Sequence, residues 1–118
     1  MIEWMFGRNG QATILFEGKR LRNRRGQVCA WIHDGSVYSL HGRHMGWFEK
    51  GVLYDSGNHA LGFLVNATGY LPSRPGLGGL PGIPGLAGIP GTPGFSGVPG
   101  RPGFGGWSDE DLSTYFEE

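Results

Sequence analysis

From Met1 to Leu64, apolar positions fall into columns when the chain is written in lines of sixteen. The fifth column holds Met5, Leu21, Val37 and Leu53. The fifteenth holds Leu15, Trp31, Trp47 and Phe63, and the sixteenth holds Phe16, Ile32, Phe48 and Leu64. The tenth column is Gly10, Gly26, Gly42 and Asn58. Asn9-Gly10, Arg25-Gly26, His41-Gly42 and Gly57-Asn58 therefore supply, once per line, residues that tolerate the positive φ of a hairpin turn. A second turn is expected between lines, at Glu17-Gly18, Asp34-Gly35 and Lys50-Gly51. The intervening runs of about five β-branched and aromatic residues have the usual length of a strand. Glycine interrupts any 3.6-residue apolar face, so helix is not expected in this part.

Four equal units of two strands predict an all-β fold: a closed, pseudo-fourfold antiparallel barrel of four 16-residue hairpin repeats. Closure removes the open edges that invite aggregation in so small a sheet. Residues 65–70 are expected as a ninth strand latching onto the first. The fifteenth column (Leu15, Trp31, Trp47, Phe63) is expected as a ring near the barrel axis. The fourteenth (Ile14, Ala30, Gly46, Gly62) shrinks along the chain, as where backbones approach closely or a sheet bends.

Three segments follow: a repeat domain over 1–70, a Gly/Pro-rich low-complexity linker over 71–106, and an acidic closing segment over 107–118. From Arg74 to Gly106 every third residue is glycine, usually preceded by proline. That is the pattern of a collagen triple helix, and equally of an extended polyproline-II-like spacer. No charge lies between Gly76 and Gly100, and Leu, Ile, Phe and Val recur every third position, which gathers an apolar stripe. In GWSDEDLSTYFEE, Ser108 and Asp111 suit a capping box, with Trp107 and Leu112 as its hydrophobic staple. A short amphipathic helix presenting Trp107, Leu112, Tyr115 and Phe116 to a partner, or to the head itself, is the expectation.

The sixteen-residue period, the Gly-x-x-x-Gly-Trp phrase of the third unit, the Val-Tyr and Leu-Tyr pairs and the Pro/Gly tail ending in Gly-Trp-Ser resemble the bacterial four-fold β-flower family. The resemblance covers roughly residues 1–70. It implies a shallow, flower-like antiparallel barrel with hairpin petals. The likeness of such barrels to tubby-type and scramblase-type barrels suggests lipid association.

Charge is balanced overall but not locally. Up to Tyr70 eight Lys/Arg stand against five Asp/Glu (+3), and from Leu71 two stand against five (−3). The strongest basic run is KRLRNRR. With Leu21 facing inward, alternation throws Arg20, Arg22 and Arg24 onto the other face. With Arg25 they are the candidate contacts to anionic lipid, or less specifically to nucleic acid. Nucleic acid is the poorer of the two, because no stacking aromatics interleave with the arginines.

Cys29, the single cysteine, lies in the apolar run VCAWI and reads as an inert buried thiol, so no intrachain disulfide is expected. His41, His44 and His59 recur near one turn of neighbouring units and are weak metal candidates with no recurring carboxylate or cysteine partner. No nucleophile elbow, phosphate loop or catalytic carboxylate pair is present, so no enzyme and no cofactor is expected. The start lacks the features of a secretory signal, and the expected compartment is the cytoplasm or the inner face of a membrane. The leading reading is a non-catalytic binding or scaffold module, touching an anionic membrane surface with its basic face. The alternatives are a soluble module acting through its closing segment, and a barrel holding a small ligand or metal.

Overall fold

The computed structural model describes residues 2–117. Its strands are β1 (Glu3–Gly7), β2 (Ala12–Glu17), β3 (Arg20–Arg22), β4 (Val28–His33), β5 (Ser36–Ser39), β6 (His44–Glu49), β7 (Val52–Tyr54) and β8 (Ala60–Leu64). Each pairs antiparallel with the next, and β8 returns to β1 through Met5↔Leu64, Phe6↔Phe63 and Gly7↔Gly62. The barrel thus closes on eight strands. Residues 65–70 form no ninth strand, because the eighth already satisfies the edge of the first.

Both sets of turns follow the period. At the upper rim, Gly7, Asn23, Ser39 and Asp55 each accept at their carbonyl from the amide three residues on, in Gly10, Gly26, Gly42 and Asn58. In three petals the Asn23, Ser39 or Asp55 side chain also accepts the amides two and four residues on. Such short polar side chains stabilise turns by this local bonding. At the lower rim the first turn is Gly18-Lys19, one residue later than expected, with positive φ at Gly18 (64°). The other two carry positive φ at both positions: 51° and 76° at Asp34-Gly35, 49° and 83° at Lys50-Gly51. The first is the type II′ solution and the others are type I′, the pair that matches strand twist. Lys50 is strained in this conformation, which costs a β-carbon residue roughly 1–2 kcal/mol. Lys50→Gly is expected to stabilise the fold by about 0.5–1 kcal/mol after glycine's own entropy cost, read as a higher denaturation midpoint.

Every petal carries a bulge at the same place. The register slips after Met5, Leu21, Val37 and Leu53, leaving Thr13, Cys29, Met45 and Leu61 as the extra residues. Phe16 of β2 and Phe48 of β6 lie on opposite sides of the ring, yet their rings stack 5.0 Å apart. Only the lumen joins them, so the sixteenth column faces the axis. One interior cluster follows, uniting Met5, Leu21, Val37 and Leu53 with Ile14, Ala30, Cys29, Met45 and Leu61. The bulge turns the extra residue inward as well, which re-aims a side chain that simple alternation would face outward.

The fifteenth column is therefore not the axial ring. Neighbouring positions of a strand face opposite ways, so Leu15, Trp31, Trp47 and Phe63 lie on the outer wall. They are buried there in two separate clusters, with Trp4, Phe6, Val52 and Tyr54 in one and Val28 and Tyr38 in the other. What covers them is the tail.

Residues 71–106 are neither a free spacer nor part of a triple helix here; they strap the barrel. The amides of Gly78, Ala87, Ser96 and Gly105 donate to the carbonyls of Gly10, Gly26, Gly42 and Asn58, at 2.8, 3.1, 2.9 and 3.2 Å. Nine strap residues thus answer each sixteen-residue petal. The flat molecule measures 36 × 36 × 23 Å. A quarter of a 36 Å circle is about 28 Å, and nine residues at the polyproline-II rise also span about 28 Å. Phe95 stacks on Tyr38 (4.2 Å) and Phe104 packs on Tyr54 (5.1 Å), again nine against sixteen. Trp4 donates its indole N–H to Pro81 (3.0 Å). Arg101 lies over Trp47, Tyr54 and Phe104 and reaches Asn58 and Glu49.

Among the described residues the closing segment contains no helix. Residues 112–116 make a single turn in which Asp111, not Ser108, accepts the amides of Thr114 and Tyr115 at its carbonyl and that of Ser113 at its carboxylate. The expected capping box does not form: the Ser108 oxygen accepts the amide of Glu110 rather than that of Asp111, and its hydroxyl is donated to Asp55 of the fourth petal.

Candidate functional site

The candidate basic row is split by the fold. Leu21 faces the lumen as expected, and Arg20 and Arg22 lie on the outer wall. Arg22 is only 2% exposed. It donates to Glu17 (2.8 Å) and to the carbonyls of Gly26 (2.6 Å) and Ala87 (2.7 Å), pinning the strap to the second petal. Arg20 also bonds Glu17 (3.1 Å) and lies 6.0 Å from the Trp31 ring. The Arg22 hydrogen bond, above all, holds the Glu17 carboxyl below its usual range. Arg22 is therefore not free to hold a lipid phosphate, and Arg20 is engaged by Glu17 through one of its nitrogens. Arg24 and Arg25 do remain exposed, at the upper turn of the second petal.

Beside them runs an apolar belt. Leu80, Ile83 and Ile89 are 67%, 50% and 54% exposed, and Leu77, Leu86 and Val98 are also open to solvent. The stripe expected from the triplets is real, but it is displayed on a strap rather than on a free tail. Leu86 passes directly over Gly26, so the belt adjoins Arg24 and Arg25. Sequence reasoning missed this adjacency.

The expected interaction residues turn inward. Leu112 and Phe116 are 3% and 8% exposed and belong to the lumenal cluster. Tyr115 donates its hydroxyl to the Met45 carbonyl (2.6 Å) and accepts the Ser56 amide (3.1 Å); burial raises its pKa. Trp107 bridges in parallel to Ala60, packs 6.3 Å from Phe63 and donates to Ser73. The partner of this segment is the head itself. The tapering fourteenth column explains its seat: a β-carbon on Gly62 would stand 2.8 Å from a Leu112 methyl. Glycine there leaves the room that Ile14 fills on the first petal.

The histidines do not converge. Both ring nitrogens of His44 are buried without a hydrogen-bond partner, its ring packs edge-on against Tyr38 and Trp47, and burial lowers its pKa. His59 stands 3.5 Å from Asp55. Among the described residues no group of three or more metal-ligating side chains occurs, His41 included. Burial pushes the Cys29 thiol up to about 12. Alkylation of Cys29 at pH 8 is expected to be at least a hundredfold slower in the native protein than in denaturant, because the thiolate is the reacting form.

Half-open cavities surround the closing segment. One of about 400 Å³ lies toward the first and fourth petals. A larger one, about 760 Å³, lies toward the first two petals and the turn of the third, and is lined by Ile14, Val28, Cys29, Leu40 and Phe116 with Arg24 and Arg25 at its edge. Thr13, the polar member of the four bulge residues, borders both, and its hydroxyl oxygen is buried without a partner among the described residues.

No curated protein and no solved structure matches the chain. The family described as 4-fold beta flower protein matches residues 3–116, a span that takes in the strap and the closing segment as well as the barrel. The period, the closed ring of four petals and this match agree: the chain belongs to the four-fold β-flower family.

Proposed function

We propose that the protein is a non-catalytic binding module that lies against an anionic membrane surface with the sector of its first two petals. The observation that carries this reading is the exposed belt of Leu80, Ile83, Leu86 and Ile89 beside Arg24 and Arg25, in a stretch without charge from Gly76 to Gly100. A contiguous apolar patch rimmed by cations is a common form of interaction surface. Each exposed arginine contributes about 1 kcal/mol near an anionic leaflet. The belt rests at the interface rather than spanning, since an extended backbone immersed in hydrocarbon leaves polar groups unsatisfied. Among the described residues no helix is long and apolar enough to cross a membrane.

Flotation with phosphatidylcholine vesicles, with and without phosphatidylglycerol, tests the reading. The protein should float with the anionic vesicles only, and Leu80→Ser/Ile83→Ser/Ile89→Ser should abolish recovery without lowering the melting temperature. Equal recovery on neutral vesicles, or no loss in the triple variant, would overturn it.

A further inference from the structure

The closing segment displays the chemistry its seat accepts. It places Leu112 and Phe116 among lumenal apolar residues and brings a carboxylate to a mouth edged by arginine: Glu117 lines the large groove with Arg24 and Arg25. The segment does not fill that mouth. The groove beside it, about 760 Å³, falls within the range of roughly 300–1,000 Å³ usual for small-molecule sites. Its floor is Ile14, Val28, Cys29 and Leu40, and at its border the Thr13 hydroxyl lacks a partner among the described residues. A buried hydroxyl left unpaired is costly unless something supplies an acceptor.

We infer that the barrel mouth is a binding site for a single-chain anionic amphiphile, and that residues 107–117 occupy it in cis as an internal competitor. The alkyl chain takes the place of Phe116 and Leu112 along the groove floor. The anionic head replaces the segment's carboxylate at Arg24 and Arg25 and accepts from Thr13. The site is distinct from the strap belt, although the two arginines adjoin both. Because the competent state forms only when the segment leaves, apparent affinity is reduced by the fraction of molecules that are open.

Dodecanoate below its micelle concentration is the probe, and dodecanol the uncharged control, with full-length protein in calorimetry and hydrogen exchange. Dodecanoate should bind at least tenfold more tightly than dodecanol and increase exchange at the amides of residues 112–117. Arg24→Ser/Arg25→Ser, both exposed positions, should weaken it at least tenfold. Gly62→Ile, which displaces Leu112, should tighten it at least tenfold. Leu112→Ser/Phe116→Ser should do the same while leaving every strand unaltered, which covers failure of the glycine variant to fold. Equal affinity for acid and alcohol, no change in exchange, or no tightening in the segment variant would overturn the inference. Belt variants that no longer float but still bind dodecanoate would identify a free amphiphile as the source. Stronger flotation of Leu112→Ser/Phe116→Ser than of the parent, with the belt intact, would identify a bilayer lipid.

Discussion

Alanine at Gly42 is expected to destabilise the protein by about 3 kcal/mol, whereas alanine at Gly88 or Gly97 should leave stability unchanged or slightly raised. Gly42 has φ of 87°, and a β-carbon there would fall on the carbonyl oxygen of Gly94. Gly10 and Gly26 stand in the same relation to Gly76 and Gly85. Left-handed strain contributes about 1–2 kcal/mol and overpacking against backbone about 1–3 more. The strap glycines are different: a β-carbon at Gly88, Gly91 or Gly97 meets nothing within 4 Å. Alanine there only narrows the unfolded ensemble, which favours the native state by up to about 1 kcal/mol. A collagen-like assembly gives the opposite ranking, since its axis admits only glycine in every third place. Chemical denaturation of Gly42→Ala and Gly88→Ala separates the two.

Arg22→Met is expected to cost about 3 kcal/mol, on the order of 10 °C in Tm. The substitution keeps most of the volume but takes the guanidinium from the Ala87 carbonyl. It also removes one of two donors from the Gly26 carbonyl, which keeps the Ala87 amide, and from Glu17, which keeps Arg20. Glu17 is 21% exposed, keeps Arg20 and recovers some solvation, so most of the loss comes from the Ala87 carbonyl and the loosened strap. The pH dependence has a definite sign. The folded pKa of Glu17 is lowered, chiefly by the Arg22 hydrogen bond, so this contribution is complete above the unfolded value near 4.5 and is lost as pH falls through the folded one. Between pH 6 and pH 3 the native protein should lose more stability than Arg22→Met does, and parallel losses would assign the shift to another cause.

The petals were legible because glycine and asparagine mark every upper turn and apolar columns mark the strands between. The orientation of the wall was not. A strand with one wet face alternates apolar and polar residues. Here Ile14-Leu15-Phe16 and Cys29-Ala30-Trp31-Ile32 are apolar throughout, because the strap dries the outer face as the lumen dries the inner. The bulges hid the face further by turning Cys29, Met45 and Leu61 inward.

The strap's nine-residue register was concealed inside its three-residue glycine period. Its trace is that proline gives way before the triplet glycine at Gly78, Ala87, Ser96 and Gly105, nine apart, which are the residues whose amides donate to the petals. Phe95 and Phe104 likewise stand nine apart where Tyr38 and Tyr54 stand sixteen apart. Arg20 and Arg22 do lie on the outer wall, but for Arg22 outward means beneath the strap, against the Ala87 carbonyl. At the closing segment the residues singled out for contact meet the head itself, one of the two surfaces expected, but not as a helix. Leu112 and Phe116 enter a lumen that Gly62 keeps open, and no local pattern announces that vacancy.

The central claim is that the tail is a strap registered to the petals at nine residues per sixteen. Inserting one Gly-Leu-Pro triplet between Ala87 and Gly88 keeps the composition and glycine period of a spacer or a triple helix. It also moves Phe95, Ser96 and Arg101 off Tyr38, Gly42 and Trp47. The thermal melt of that variant should fall by on the order of 10 °C relative to the parent. An unchanged or higher Tm would contradict the account.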